Sequence, residues 1–169
     1  FKVRKGVYFH DDMAFEGGKG REMTADDIVY SIKRLADPKL QALGWWVLDG
    51  KLKGLNEWRE KYGQLPEVDY SEQVEGIKVI DRYTVQFQLS RPYPQFLYTL
   101  AMPFTFVVAK EVVAKYGKEF INHPVGTGPF VLPKFEQTNK ITYTKNKKYR
   151  KKFYPNEGSE EFVKKGLLN

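Results

Sequence analysis

Apolar and polar residues alternate most regularly between Val74 and Leu89. Ile77 and Val79 flank Lys78, and beyond Asp81-Arg82 the residues Tyr83, Val85, Phe87 and Leu89 alternate with Thr84, Gln86 and Gln88. Period-two alternation interrupted by a turn predicts a hairpin with one wet face. Residues 1–9 carry a shorter version of the pattern in Phe1, Val3, Val7 and Phe9 and predict another strand. After Thr24 the period becomes helical. Ile28, Val29, Ile32 and Leu35 form one stripe, Thr24 is a good N-cap with Asp27 as its capping-box partner, and Asp37-Pro38 ends the run.

The remaining elements follow from similar signals. Glycines 17, 18 and 20 make 11–23 a loop. Its Gly18-Lys19-Gly20 lacks the earlier Gly and the following Ser/Thr of a phosphate-binding loop. Residues 39–73 are irregular, with a helix expected from Asp49 to Tyr62 through Leu52, Leu55 and Trp58, ended by Gly63 and Pro66. Arg91-Pro92-Tyr93-Pro94 opens a short helix through Phe96, Leu97, Leu100 and Ala101 that stops at Met102-Pro103. Phe104–Val108 reads as a buried strand, and Ala109–Tyr116 as a helix closed by Gly117. His123-Pro124-Val125-Gly126-Thr127-Gly128-Pro129 is a bend entering a strand, because Gly reaches backbone angles closed to other residues and Pro sets its own. Strands follow at Phe130–Phe135 and Ile141–Thr144, with Pro133 placing the first at an edge or on a bulge. A short capped helix is expected over 158–166.

Composition narrows the class. The 169 residues fit one domain, with 41% apolar and 15% aromatic residues to build a core. No apolar run approaches the ~20 residues of a membrane span. The chain starts without Met inside a strand pattern, and the expectation is a piece of a longer protein. With no cysteine, disulfides and thiol chemistry are excluded, and two isolated histidines argue against a metal site. The net charge of +7 is concentrated late, in Lys140, Lys145, Lys147, Lys148, Arg150, Lys151 and Lys152. Such a run is ordinarily a solvated face. With Tyr143, Tyr149, Phe153 and Tyr154 it also composes the alternative, a nucleic-acid-binding module that stacks bases.

Three motifs and a strand end occur in register. They are Phe1-Lys2-Val3-Arg4 leading to Phe9-His10-Asp11, then Thr24-Ala25-Asp26-Asp27-Ile28-Val29-Tyr30-Ser31, then Gly126-Thr127-Gly128-Pro129-Phe130, closing with Asn146-Lys147-Lys148-Tyr149. Over residues 1–149 the chain resembles the peptide/nickel (oligopeptide/dipeptide) class of extracellular solute-binding proteins, family 5, which serve ABC importers. Asp12 in place of the usual Gly, the longer connection to the helix, and Arg150 in place of Trp depart from the family pattern. The resemblance implies an α+β chain with mixed sheets and flanking helices, part of a two-lobed periplasmic-binding-protein fold of type II. Residues 1–125 would be a small mixed domain with connecting strands, and 126–169 part of the first ligand-binding lobe. It further implies a periplasmic or lipid-anchored extracellular setting. The partners would be a peptide or other small solute and the transporter's permease subunits, with no cofactor and no nucleic acid.

Candidate chemistry is sparse. Asp26 and Asp27 sit where a helix dipole favours anions, which accounts for them without acid–base work. His10 and His123 adjoin turn residues and read as capping or surface positions. No nucleophile–base pair is visible, so the expectation is a binding protein rather than an enzyme. Adjacent Trp45 and Trp46 cannot both point into a core, so one belongs at a surface, an interface or a cleft. They are either loop anchors or a ligand platform. Because the family places an aromatic residue near its ligand in this segment, both are the candidate ligand contacts. Gly126, Thr127, Gly128 and Pro129 are expected to have a structural role near the lobe hinge.

Overall fold

The computed structural model describes residues 1–136 and 140–150. Helix α1 (Ala25–Ala36) begins where the capping box predicts. The Thr24 side chain meets the Asp27 backbone, and the Asp27 carboxylate accepts the Thr24 N–H at 2.8 Å. Its inner stripe of Ala25, Ile32, Leu35 and Ala36 is buried, with Ile28 and Val29 packed at the margin. Fully burying one such aliphatic side chain contributes roughly 1.5–3 kcal/mol, and this stripe anchors the main core.

The hairpin β1 (Ile77–Asp81) and β2 (Thr84–Phe87) lies on that stripe, antiparallel, with Ile77 opposite Phe87 and Val79 opposite Val85. The Asp81 carboxylate accepts the Tyr83 N–H at 2.8 Å and so closes the turn. Ile77 and Val85 are buried, whereas Val79 is exposed, and the register shifts between Val79 and Asp81. Residues 1–9 do not form one strand. The first part runs beside β2, with the Val3 N–H on the Tyr83 carbonyl at 2.7 Å. A turn at Gly6 then sends Val7 and Phe9 to pair with Met23 and Arg21. One alternating stretch thus serves two partners.

Helix α2 (Leu55–Gln64) starts later than the expected Asp49, since Gly50 and Gly54 both take left-handed φ, at 66° and 72°. It runs through Gly63 rather than stopping there. The segment before it is extended instead: Leu52 bridges Leu89, and the Lys53 N–H donates to the Gln88 carbonyl at 3.1 Å. Gly76 lies where these backbones cross. A Cβ there would stand 2.6 Å from the Lys53 N and O and 2.8 Å from the Gln88 carbonyl.

Helix α3 (Phe96–Leu100) turns Phe96 inward against Phe1 and Phe87. The expected buried strand at Phe104–Val108 is absent. Pro103–Thr105 forms a 3-10 turn whose Thr105 hydroxyl donates to the Leu100 and Met102 carbonyls at 3.0 and 2.9 Å, leaving Phe104 and Phe106 outside. Helix α4 (Lys110–Tyr116) ends at Gly117 as expected and continues as a 3-10 turn to Asn122. It buries Val112 in a second core with Phe9, Phe15 and Ala109.

Past the bend, β3 (Phe130–Glu136) and β4 (Lys140–Lys145) pair antiparallel. The register breaks between Val131 and Lys134, at Pro133, as a residue without an N–H requires. The described architecture is α+β, with both hairpins antiparallel and α1 packed against the β1–β2 hairpin. The helix expected over 158–166 lies outside the described residues.

Candidate functional site

Trp45–Val47 forms a 3-10 turn held in place by the buried Val47 and Leu48. The turn separates the two tryptophans. Trp45 is half-buried against the main core, with the Arg59 guanidinium 4.8 Å over its ring, and Arg59 is itself fixed by donating to the Ala36 carbonyl at 2.8 Å. Trp46 is 59% exposed and meets Phe104 edge to face, centroids 6.1 Å apart. Gly44 makes this contact possible, because a Cβ there would lie 2.5 Å from the Phe104 ring. Lys51 adds a cation, its ammonium donating to the Trp46 carbonyl at 3.1 Å.

Phe104 escaped the sequence reading, which placed it in a buried strand. A usable signal was present: no charged residue occurs between Arg91 and Lys110. Within that run Leu97, Tyr98, Phe104 and Phe106 are all exposed. Large apolar groups exposed together mark contact surfaces more often than scattered single ones do.

The Gly126–Pro129 bend is fastened from three sides. The His10 N–H donates to the Gly126 carbonyl at 2.8 Å, and the His10 ring Nε2 lies 2.9 Å from the Gly128 carbonyl. Asn146 donates its side-chain amide to that same carbonyl at 3.0 Å, and its backbone N–H to the Pro129 carbonyl at 2.7 Å. Two expectations change here. Neither Gly126 nor Gly128 takes a left-handed φ, and a Cβ on either would meet nothing within 4 Å, so the bend is set by its bonds rather than by glycine angles. His10 is not a surface residue: it is 6% exposed and binds the bend. His123 stacks on Tyr116 at 3.8 Å.

The acidic start of α1 is spoken for. Arg21 donates to both oxygens of Asp27 at 2.8 and 2.6 Å and to both oxygens of Glu111 at 2.7 and 2.8 Å. These bonds hold the Glu111 carboxyl below its ordinary range, and the pairing with Asp27 pushes the guanidinium further toward its charged form. Both carboxylates are thus committed to a staple between the loop, α1 and α4. Lys33 is buried and donates to the Tyr70 and Glu72 carbonyls at 2.9 and 2.6 Å, and burial lowers its pKa. It lines a cleft of about 700 Å³ with Val29, Tyr30, Tyr70 and Val79, on a face formed by α1 and β1. That cleft includes neither tryptophan. Among the described residues no three His, Asp or Glu side chains are grouped to hold a metal.

Of the late basic and aromatic residues, Lys148 is paired with Asp11 at 2.6 Å and the Arg150 guanidinium covers the Tyr149 ring at 4.7 Å. Lys151, Lys152, Phe153 and Tyr154 lie outside the described residues.

The family described as bacterial extracellular solute-binding proteins, family 5 Middle, matches residues 1–163. The di/tripeptide-binding protein 2 of Pseudomonas aeruginosa is 31% identical over 161 residues, covering 89% of this chain and 27% of the relative. The dipeptide-binding protein of Escherichia coli is 35% identical over 151 residues, covering 85% of this chain and 25% of the relative. Among solved structures, OppA of Burkholderia pseudomallei superposes with a TM-score of 0.71 at 27% identity, over 88% of this chain and 27% of that one. Peptide-bound OppA of Listeria monocytogenes superposes at 0.68 and 27% identity, over the same shares of 88% and 27%. The chain therefore spans about a quarter of the length of these relatives.

Proposed function

The chain belongs to the bacterial extracellular solute-binding proteins of family 5, and from that premise we propose that it is part of the substrate-binding subunit of an ABC importer. In this reading a peptide or related small solute is held between two lobes, without chemical conversion, and passed to permease subunits. The setting is the periplasm or the outer face of a membrane, with or without a lipid anchor. Residues 1–125 are assigned to a small domain with connecting strands and 126–169 to the first ligand-binding lobe. Gly126, Thr127, Gly128 and Pro129 are assigned a place near the hinge between lobes.

The observation that carries this reading is the exposed Trp46–Phe104 pair, whose Phe104 lies in a stretch of sequence with no charged residue from Pro92 to Ala109. Aromatic rings offer large rigid area to the apolar side chains of an extended chain. The relatives named for dipeptides and tripeptides support that ligand class. Trp46 is the member of the tryptophan pair assigned to the ligand, with Trp45 supporting it from the core side.

Calorimetric titration of short apolar peptides into the full-length protein tests this. Trp46→Ala and Phe104→Ala should each lower affinity about tenfold, the ~1.4 kcal/mol of an aromatic contact, with thermal stability unchanged. Trp45→Ala should instead cost about 2 kcal/mol of stability, less than the ~3–5 kcal/mol of a fully buried aromatic. Unchanged affinity in both Trp46→Ala and Phe104→Ala would contradict the assignment.

A further inference from the structure

We propose that His10 is a pH-responsive latch on the Gly126–Pro129 bend. Its ring spans two backbone groups of opposite character. Nε2 lies 2.9 Å from the Gly128 carbonyl oxygen, which can only accept, and Nδ1 lies 3.4 Å from the Gly126 N–H, which can only donate. A single protonation state satisfies both: the neutral ring with its proton on Nε2. A second proton, on Nδ1, would set one N–H against another and break the Gly126 bond.

The polar groups around the ring leave this logic intact. Asp11 is bonded to Lys148 at 2.6 Å, and Asp12 accepts the Tyr116 hydroxyl proton at 3.0 Å. His123 stacks on Tyr116, and the Arg150 guanidinium lies over the Tyr149 ring and donates to the Thr127 carbonyl at 3.5 Å. A cavity of about 470 Å³ beside the bend, bordered by His10, Asp12, His123 and Val131, gives a protonated ring access to water. The protonated ring keeps its Nε2–H on the Gly128 carbonyl, which Asn146 also holds at 3.0 Å, and the His10 backbone N–H keeps the Gly126 carbonyl at 2.8 Å, so the bond given up is the one from the Gly126 N–H. The bend is where the N-terminal segment meets the β3–β4 hairpin, and acid therefore removes one of the bonds that fasten that junction. The latch is independent of the solute-binding reading.

Nitrogen-15 NMR of the protein tests it, using two-bond couplings within the imidazole rings and the amide signals of the bend. At about pH 8 the His10 ring should show the proton on Nε2. On acidification the Gly126 amide should shift together with the His10 ring signals. His10→Gln keeps a donor and an acceptor but does not titrate, and should abolish that shift. His123→Gln, at the other histidine of the two, should preserve it. A neutral His10 ring protonated on Nδ1, or a Gly126 shift that follows His123 or survives His10→Gln, would overturn the latch. The tautomer is read on the unsubstituted protein, so the test stands even where His10→Gln fails to fold.

Discussion

Neighbouring residues of one type acquire different work from a single turn. Trp45 and Trp46 are adjacent, yet a 3-10 turn sends one against Arg59 and the core and leaves the other outside beside Phe104. The sequence shows that both cannot be buried but not which one is exposed, since that depends on Phe104, far along the chain. Gly76 is the sharpest single-residue constraint. Gly76→Ala would drive a methyl group to 2.6 Å from the Lys53 backbone, and backbone cannot step aside as a side chain can. The expected cost is about 1–3 kcal/mol, read as a lower denaturation midpoint. An unchanged midpoint would show that the crossing of 51–53, 76 and 88 is looser than described. Arg21 and His10 were invisible for a common reason: their partners Glu111 and Gly128 lie 90 and 118 residues away, and nothing local announces such bonds.

Among the elements, those defined by local chemistry were readable and those defined by partners were not. The α1 cap and stop, the β1–β2 turn, the Pro133 break and the end of α4 each rest on residues within a few positions of one another. The N-terminal segment and Phe104–Val108 were misread because alternation predicts an extended chain but not what it pairs with, or whether it pairs. In the second case Val108 donates its N–H to the Ser31 hydroxyl at 2.9 Å and needs no strand partner. The staple joining α1 to α4 gives an acid response of definite sign. The Glu111 carboxyl is held below its ordinary range by Arg21, so the folded state favours its ionised form. The stability it contributes is complete above the ordinary carboxylate pKa and is lost as pH falls through the lowered folded value. Urea unfolding at successive pH values should show stability declining over that acid window, with a shallower decline in Glu111→Gln. Identical slopes in the two proteins would remove Glu111 from the account.

For the whole molecule, a main core under α1 and a second core around Phe9 and Val112 carry a stretch of chain with no charged residue from Pro92 to Ala109. In a chain whose residues are 29% charged, such a stretch stands out, and it includes four of the exposed large apolar side chains. The family membership, the aromatic pair and the exposed apolar side chains of that stretch support the proposed solute binding, with peptides as the proposed ligand class. Native mass spectrometry of the protein as its host makes it, purified without added ligand, tests that most directly. The account predicts an extra mass in the range of a short peptide, lost on denaturation and readable as amino-acid sequence by fragmentation. Retained nucleic acid, or a bare mass that stays bare when a mixture of short peptides is added, would contradict it.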